Sequence, residues 1–264
     1  MMPELDDAYA NGAYIPGADG YVTRWQDEAA AFREGLHGRV TLDQSYGPSD
    51  RMALDLMQPE GTAKGTLIFV HGGYWLKFDR SYWSHFSTGA LAQGWAVAMP
   101  SYDLCPSVRI AGITQQIAQA VMRVADQTTG PLSLAGHSAG GHLVARMLAP
   151  GMLPQAVLDR LVHVMPISPV SDLEPLLSTL MNNEFSMDAA MAQAESPVHQ
   201  PAPDVPVTVW VGADERPVFL DQARWLAEAW DCDHIVTEGE HHFNVIDALT
   251  DPASDMIRRL TTAP

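Results

Sequence analysis

The sequence predicts an α/β fold, in which a doubly wound, mostly parallel sheet carries helices on both faces. Short, continuous apolar runs such as Thr66–Val70 and Trp95–Met99 alternate with helical stretches such as Ile110–Asp126. Runs that are apolar at every position are typical of strands buried on both faces of a parallel sheet. The 264 residues show no internal repeat, low-complexity tract or long linker, which indicates a single domain spanning residues 1–264.

The predicted elements follow one another along the chain. Trp25–Arg33 is a predicted helix, and Val40–Tyr46 and Met52–Met57 are two antiparallel strands around a Gly-Pro-Ser-Asp turn. The alternation then gives the strand Thr66–Val70, the helix Tyr82–Gln93, the strand Trp95–Met99, the helix Ile110–Asp126, the strand Leu132–Ala135, the helix Gly141–Leu148, the strands Leu161–Ile167 and Val205–Val211, the helix Phe219–Trp230, the strand His234–Thr237 and a closing helix over Phe243–Leu260. Strands that alternate with helices imply right-handed crossovers and a doubly wound sheet. In such a sheet, ligands are expected beyond the carboxyl ends of the strands.

The segment Ser171–Pro203 is an insertion between two predicted strands. It contains helical pieces and several methionines, and it ends in proline-rich punctuation. Such a segment can cover the strand ends as a small cap, or it can form a pair of surface helices, and the sequence favours neither.

Composition narrows the class of partner. A formal net charge of -17 argues against nucleic acid and anionic membranes. No apolar run approaches membrane-spanning length, and the start of the chain lacks the features of a signal peptide. Two widely separated cysteines, Cys105 and Cys232, suit reduced thiols in a cytoplasm. We therefore expect a cytoplasmic protein acting on a small-molecule substrate; its oligomeric state stays open, with a homodimer as one alternative.

A Gly-x-Ser-x-Gly turn follows the predicted strand Leu132–Ala135 and precedes a helix. In that context the turn places Ser138 on a strained bend at the carboxyl end of the strand, with its hydroxyl exposed. Gly136 and Gly140 are required because a Cβ at either position would collide with the neighbouring strand or helix. Ser138 is the predicted nucleophile.

A His-Gly-Gly string directly follows the predicted strand Thr66–Val70. The two glycines allow backbone N–H groups to face the space above Ser138. The N–H groups of Gly72, Gly73 and Ala139 form the predicted oxyanion hole. Such donors are typically worth about 3 kcal/mol each to a transition state.

A nucleophilic serine needs a general base, and the base needs an orienting carboxylate. The chain order Ser…acid…His places the acid in the pair Asp214-Glu215, after one late strand. Spacing from Gly212 favours Glu215, and Asp214 stays an alternative. Asp172 is an outside candidate for the acid, because such a residue more often caps a helix.

The base follows the last predicted strand, in the pair His241-His242. His242 is preferred because it precedes Phe243 and the predicted closing helix. The other histidines suit surface or structural roles, and none shows metal-ligand spacing. We expect neither a metal nor a cofactor.

Several motifs together are typical of one family: His71-Gly-Gly-Tyr-Trp75, Gly136-His-Ser-Ala-Gly-Gly-His-Leu143, Ser168-Pro-Val-Ser-Asp-Leu-Glu-Pro-Leu176, Glu215 four residues before Phe219, His242-Phe243, Tyr9-Ala-Asn-Gly-Ala-Tyr-Ile-Pro16 and Tyr102-Asp-Leu-Cys-Pro106. Over nearly its whole length, the chain resembles the kynurenine formamidase (arylformamidase) branch of esterase/lipase-type α/β-hydrolases. Several members of that branch have Asp where this chain has Glu215. The resemblance implies an α/β-hydrolase fold, with the nucleophile, base and oxyanion motifs carried by Ser138, by His242, and by Gly72 and Gly73.

The resemblance also implies a serine hydrolase that converts N-formyl-L-kynurenine into L-kynurenine and formate. Tyr74 and Trp75 are predicted to line the pocket for the aryl group, or else to pack beside their loop. A carboxylesterase for small aryl or alkyl esters is the main alternative. A non-catalytic ligand-binding relative is a third, although an intact set of Ser, His, acid and glycines argues against it.

Overall fold

An eight-stranded sheet forms the centre of the computed structural model, which describes residues 4–262. The strands are β1 (Val40–Ser45), β2 (Ala53–Met57), β3 (Thr66–Val70), β4 (Ala96–Pro100), β5 (Leu132–His137), β6 (Leu161–Ile167), β7 (Thr208–Gly212) and β8 (Asp233–Thr237). Their order across the sheet is β1-β2-β4-β3-β5-β6-β7-β8. β2 pairs antiparallel with β1 and with β4, and the remaining neighbours are parallel. The predicted fold class is confirmed.

Helices cover both faces of this sheet. The α-helices are α1 (Glu4–Ala8), α2 (Ala18–Gly35), α3 (Thr88–Ala92), α4 (Ile110–Gln127), α5 (Ala139–Arg146), α6 (Gln155–Leu158), α7 (Asn182–Phe185), α8 (Ala189–Glu195), α9 (Pro217–Trp230) and α10 (Asp255–Thr261). Short 3₁₀ turns span Gly12–Tyr14, Arg80–Tyr82, Ser84–Ser87, Glu174–Ser178, Pro197–His199 and Asp247–Thr250. None of the helices in the described part of the chain combines the length and the hydrophobicity that a bilayer crossing requires.

The continuous apolar strands are explained by two separate cores. In β3, Ile68 and Val70 pack into the core that also contains α4, α5 and α9. Leu67 and Phe69 pack into the opposite core, with α2, α3 and α10. Successive side chains of a strand point to opposite faces, so a strand covered on both sides is apolar at every position.

The predicted closing helix over Phe243–Leu260 is wrong. The structure has a 3₁₀ turn at Asp247–Thr250 and then the separate helix α10. Pro252 lies between them, and a proline removes an N–H donor and disfavours helical backbone at the residue before it. α10 then starts afresh at Ser254, whose hydroxyl accepts a hydrogen bond from the Ile257 N–H at 3.1 Å.

The predicted helix Tyr82–Gln93 is also wrong over most of its length. Two 3₁₀ turns precede α3, which occupies five residues. The break lies at Trp83, whose φ of -121° and ψ of 0° are not helical. The indole of Trp83 is buried in the core with α2 and α10, so packing of the large aromatic side chains overrides a helical pattern here.

The insertion Ser171–Pro203 forms short helical pieces that connect distant parts of the molecule. At one end, the Leu180 N–H donates to Asp6 Oδ1 of α1 at 2.7 Å. At the other, Glu195 forms an ion pair with Arg146 of α5 at 3.2 Å and accepts a hydrogen bond from Thr114 of α4 at 2.8 Å. The insertion is therefore tied both to the N-terminal segment and to the helix that follows Ser138.

Candidate active site

Ser138 lies on a strained bend between β5 and α5. Its φ of 57° and ψ of -118° are outside the ordinary regions for a non-glycine residue. A Cβ at Gly136 would lie 2.2 Å from Gly140 O, and one at Gly140 would lie 2.0 Å from Val70 O. Glycine is thus required on both sides of the serine, and the bend brings Ser138 to the wall of a cavity.

His242 forms a buried pair with Glu215. The His242 Nδ1 atom lies 2.5 Å from Glu215 Oε2, and the two side chains are 3% and 0% exposed. Because a carboxylate oxygen can only accept, Nδ1 carries the ring proton in this arrangement. Within residues 4–262, Nε2 of His242 makes no hydrogen bond, which leaves it available as a base toward the cavity that His242 and Ser138 both line.

The His242 loop is tied directly to the strand that carries Ser138. His137 Nε2 donates to the backbone oxygen of His242 at 2.8 Å, and the two rings lie 4.7 Å apart. Burial, and then the proximity of His242, keep the pKa of His137 well below its usual value. His137 is therefore a neutral donor at pH 7, which fixes the position of the loop next to the serine.

The other candidates for acid and base lie elsewhere. Asp214 is exposed. Asp172 Oδ1 accepts from the Glu174 N–H at 2.9 Å, in a local turn just before the 3₁₀ turn Glu174–Ser178. His241 Nε2 lies 3.2 Å from the Tyr21 hydroxyl, and its Nδ1 accepts from the Phe243 N–H at 3.1 Å. The structure thus pairs His242 with Glu215, places His242 and Ser138 on the wall of one cavity, and leaves the alternatives outside this arrangement.

The two loop glycines lie beside the serine. Both line the cavity, and within residues 4–262 neither of their N–H groups has a hydrogen-bond acceptor. A Cβ at Gly72 would lie 2.8 Å from His137 O and 3.0 Å from Ser138 Cβ. Gly73 has a φ of 113°, and a Cβ there would lie 2.5 Å from Lys77 O. Ala139 is fully buried as the first residue of α5, where helix N–H groups lack partners within the helix.

The cavity in front of Ser138 has a volume of about 640 Å³ and a largely aromatic and aliphatic wall. Aromatic side chains on it are Tyr9, Trp25, Tyr74, Phe78, Trp83 and Phe243; Val22, Leu76, Leu180 and Met181 add aliphatic surface. Its charged residues are Asp6, Asp19 and Lys77. Such a wall suits a flat aromatic ligand.

Tyr74 lies on this wall as predicted, but Trp75 does not. The Tyr74 hydroxyl donates to Tyr9 O at 2.5 Å and accepts from Asn11 Nδ2 at 2.9 Å. Trp75 is fully buried and packs edge-on against His142 and Phe185, at centroid distances of 5.1 and 5.6 Å. Trp75 therefore packs beside its loop, which was the stated alternative, and the prediction that it lines the pocket for the aryl group is wrong.

The N-terminal segment supplies a share of the wall. From the sequence, its aromatics are expected to pack the segment onto the body of the protein, with lining of a pocket as an alternative for some of them. Asp6, Tyr9 and Asn11, together with Val22 and Trp25 of α2, line the cavity. The clustered aromatics before β1 were a signal, but they are equally expected of a segment that packs on the core. The contacts that bring this segment to the cavity are long-range, and no local pattern encodes them.

Residues 4–262 contain no group of three or more His, Cys, Asp or Glu side chains arranged to hold a metal ion. Cys105 and Cys232 are free thiols, and burial raises the pKa of each to about 11. Neither thiol lines the cavity as the structure describes it.

Comparison with known proteins decides the family. A family profile described as the alpha/beta hydrolase fold matches residues 67–238. The chain belongs to the α/β-hydrolase fold family. This α/β-hydrolase is 26% identical over 251 residues to the kynurenine formamidase of Salmo salar, covering 86% of this chain and 84% of that protein. It is also 26% identical over 257 residues to the kynurenine formamidase of Drosophila melanogaster. The family and these relatives support a hydrolase activity.

Solved structures include a much closer relative. A crystal structure from Silicibacter sp. TM1040, described as a candidate thioesterase, is 60% identical, with a TM-score of 0.97 and coverage of 98% of this α/β-hydrolase and 99% of that chain. Esterase 2 of Thermogutta terrifontis is 18% identical, with a TM-score of 0.68 and coverage of 86% and 97%. The second likeness shows the fold alone.

Proposed function

We propose that the chain is a serine hydrolase without a cofactor that cleaves N-formyl arylamines, with N-formyl-L-kynurenine as the leading substrate. The observation that carries the proposal is the His242–Glu215 pair of 2.5 Å, placed so that His242 and Ser138 line one aromatic cavity. The similarity to kynurenine formamidases over most of both chains supports the choice of a formyl amide.

In the proposed mechanism, the Ser138 hydroxyl attacks the formyl carbon while His242 Nε2 takes the hydroxyl proton. Glu215 keeps the Nδ1–H tautomer and stabilises the imidazolium that forms. The N–H groups of Gly72, Gly73 and Ala139 bind the oxyanion. The pairing of His242 with Glu215 before substrate binds supports this mechanism, because it reduces the reorganisation that the reaction requires.

The tetrahedral intermediate collapses as His242 returns its proton to the departing aryl nitrogen. The free arylamine leaves, and the formyl group stays on Ser138 as an ester. A water molecule then attacks this ester while His242 takes its proton. His242 returns that proton to the Ser138 oxygen as the ester bond breaks, and formate leaves. A formyl group needs little acyl space, so the aromatic surface of the cavity is available to the aryl leaving group.

A thioesterase or esterase is the second candidate, favoured by the 60% identical relative that is described as a candidate thioesterase. The same serine, base and oxyanion donors serve this reaction. A thiolate or phenolate leaves readily without a proton, whereas an arylamine requires protonation by His242. The two candidates therefore differ in the leaving group and share the nucleophile.

A substrate panel tests the choice. The kcat/KM values should be compared for N-formyl-L-kynurenine, N-formylaniline, 4-nitrophenyl acetate and an acyl thioester similar in size to 4-nitrophenyl acetate. We expect the highest kcat/KM on N-formyl-L-kynurenine. A kcat/KM that is far lower on both formyl amides than on the ester or thioester would overturn the formamidase proposal and leave the serine mechanism standing.

A further inference from the structure

Ser168, the first residue after β6, is fully buried beside the Ser138–His242–Glu215 group, and the mechanism above does not use it. Its hydroxyl donates a hydrogen bond to Glu215 Oε1. Its backbone N–H donates to Trp210 O of β7 at 2.7 Å. Ser168 is therefore connected to β7 through its backbone and to the Glu215 side chain, in the loop after β7, through its hydroxyl.

The backbone at Ser168 is in a conformation that favours glycine. Its φ is 47°, in the left-handed region that non-glycine residues uncommonly adopt. Such outliers persist where the surrounding structure requires them, and they concentrate at functional sites. Ser138, with a φ of 57°, occupies the corresponding place at the end of the neighbouring strand β5. A serine at position 168 indicates that the side chain is used.

The Glu215 carboxylate depends on hydrogen-bond donors, because its side chain is 0% exposed. Its Oε2 atom is bonded to His242 Nδ1 at 2.5 Å. Its Oε1 atom accepts from the Gly212 N–H at 3.0 Å and from the Ser168 hydroxyl. Removal of the hydroxyl leaves Oε1 with the backbone donor alone, so the carboxylate is held less firmly.

We propose that Ser168 is a positioning residue for the hydrolytic reaction. Its hydroxyl fixes the rotation of the Glu215 carboxylate, so that Oε2 stays on His242 Nδ1, and it takes up part of the carboxylate's charge. The inference rests on the proposed serine-hydrolase function. It assigns a purpose to the start of the Ser168–Leu176 motif, whose similarity to formamidases gave no role to the serine.

The expected pH effect follows from the groups that face His242. These are Glu215, His137 from β5 and the adjacent His241, with Tyr74 close to Glu215. Burial keeps His137 neutral, so Glu215 supplies the charge that His242 senses most strongly. Without the Ser168 hydroxyl, more of the Glu215 charge faces His242, so the attraction between the carboxylate and an imidazolium should be stronger.

The test measures kcat, KM and the pH–rate profile of Ser168→Ala and Ser168→Gly on the best substrate of the panel. Both variants remove the hydroxyl, and glycine also suits the left-handed backbone. We expect kcat to fall about tenfold in both with KM within about twofold, since hydrogen bonds to charged groups are among the stronger ones. The acid limb of the profile should move to higher pH by about half a unit.

Ser171→Ala is the matched control. Ser171 is equally buried in the same motif, but its hydroxyl donates to the backbone oxygen of Gln222. We expect this variant to lower the melting temperature and to leave the acid limb in place.

Wild-type kcat and an unmoved acid limb in folded Ser168→Ala or Ser168→Gly would overturn the inference and leave the proposed function intact. A Ser171→Ala variant that shifts the acid limb equally would also overturn it, because the effect would then be structural. A wild-type protein that hydrolyses no member of the panel would overturn the proposed function, and that result appears before any variant is made.

Discussion

The candidate catalytic residues and the cavity wall are held in place by different means. Ser138, Glu215 and His242 follow strands of the sheet and are nearly or fully buried. Half of the residues that line the cavity come from the N-terminal segment and the insertion, which are joined by contacts such as that between the Leu180 N–H and Asp6 Oδ1. We therefore expect the sheet to position the proposed chemistry and the peripheral segments to shape what binds. Changes to the first group should affect kcat, and changes to the second should affect KM.

The largest effect is expected from Ser138→Ala. Alanine keeps the Cβ and removes the attacking oxygen, so kcat should fall by about 10⁴-fold or more. The melting temperature should stay within a few degrees of the wild-type value. Steady-state kinetics together with a thermal melt check both points, and substantial residual turnover by purified, folded variant would assign the nucleophile elsewhere.

The next effect separates two adjacent carboxylates. Glu215→Gln removes the charge that stabilises the imidazolium and disfavours the Nδ1–H tautomer, so kcat should fall by about 10³- to 10⁴-fold. Asp214→Asn, at the exposed neighbour, should leave kcat within about twofold. The ratio of the two kcat values is the measurement, and the opposite ranking would make Asp214 the acid.

The sequence could predict where the candidate catalytic residues lie because each is tied to a local rule. Gly-x-Ser-x-Gly after an apolar strand predicts a strained bend, and the structure has that bend at Ser138. The choice of Glu215 over Asp214 also matches the pairing with His242. The roles of Trp75 and of the N-terminal segment were beyond local rules, because they depend on which way a loop turns and on contacts between distant parts of the chain.

The same contrast holds for the fold. Apolar strands covered on both faces are visible in the sequence, and β6 begins and ends where predicted. The two wrongly predicted helices lie around Trp83 and Pro252. There, the packing of a large side chain or the presence of a proline interrupts a helical pattern. A helical pattern of apolar residues does not show where such a break falls.

A smaller effect on kcat is expected at the oxyanion loop. Gly72→Ala places a Cβ 2.8 Å from His137 O and 3.0 Å from Ser138 Cβ, so the loop must move away from the serine. One displaced oxyanion donor costs about 10²-fold in kcat. Kinetics on a formamide and on an ester should show the same loss, because both pass through an oxyanion. An unchanged kcat would remove Gly72 from the proposed oxyanion hole.

Two buried histidines, one directly before Gly72 and one in α5, make the free energy of unfolding sensitive to acid. Burial lowers the pKa of His71 and of His142 to about 4, from an ordinary value of 6.5. The unfolded chain therefore binds more protons between those values, and stability that is present above pH 6.5 is lost as the pH falls toward 4. We expect the melting temperature to drop by roughly 10 °C between pH 7 and pH 4.5. A melting temperature that rises on acidification would contradict this, and His142→Gln should reduce the drop.

The smallest effect is expected on the wall. Leu180 is 61% exposed and lines the cavity, so Leu180→Ala should raise KM for an aryl formamide by about two- to threefold with kcat unchanged. Met191→Ala is the control, because Met191 is an exposed residue of the same insertion that does not line the cavity as described. A loss of kcat in Leu180→Ala would contradict the expectation that residues of the cavity wall affect KM alone.

The most direct test of the central claim is covalent labelling with a fluorophosphonate, followed by peptide mass spectrometry. We expect one adduct, on Ser138, that forms much more slowly in His242→Ala and Glu215→Gln. Failure of the wild-type protein to react under conditions that label active esterases, or an adduct on another residue with Ser138 unmodified, would contradict it.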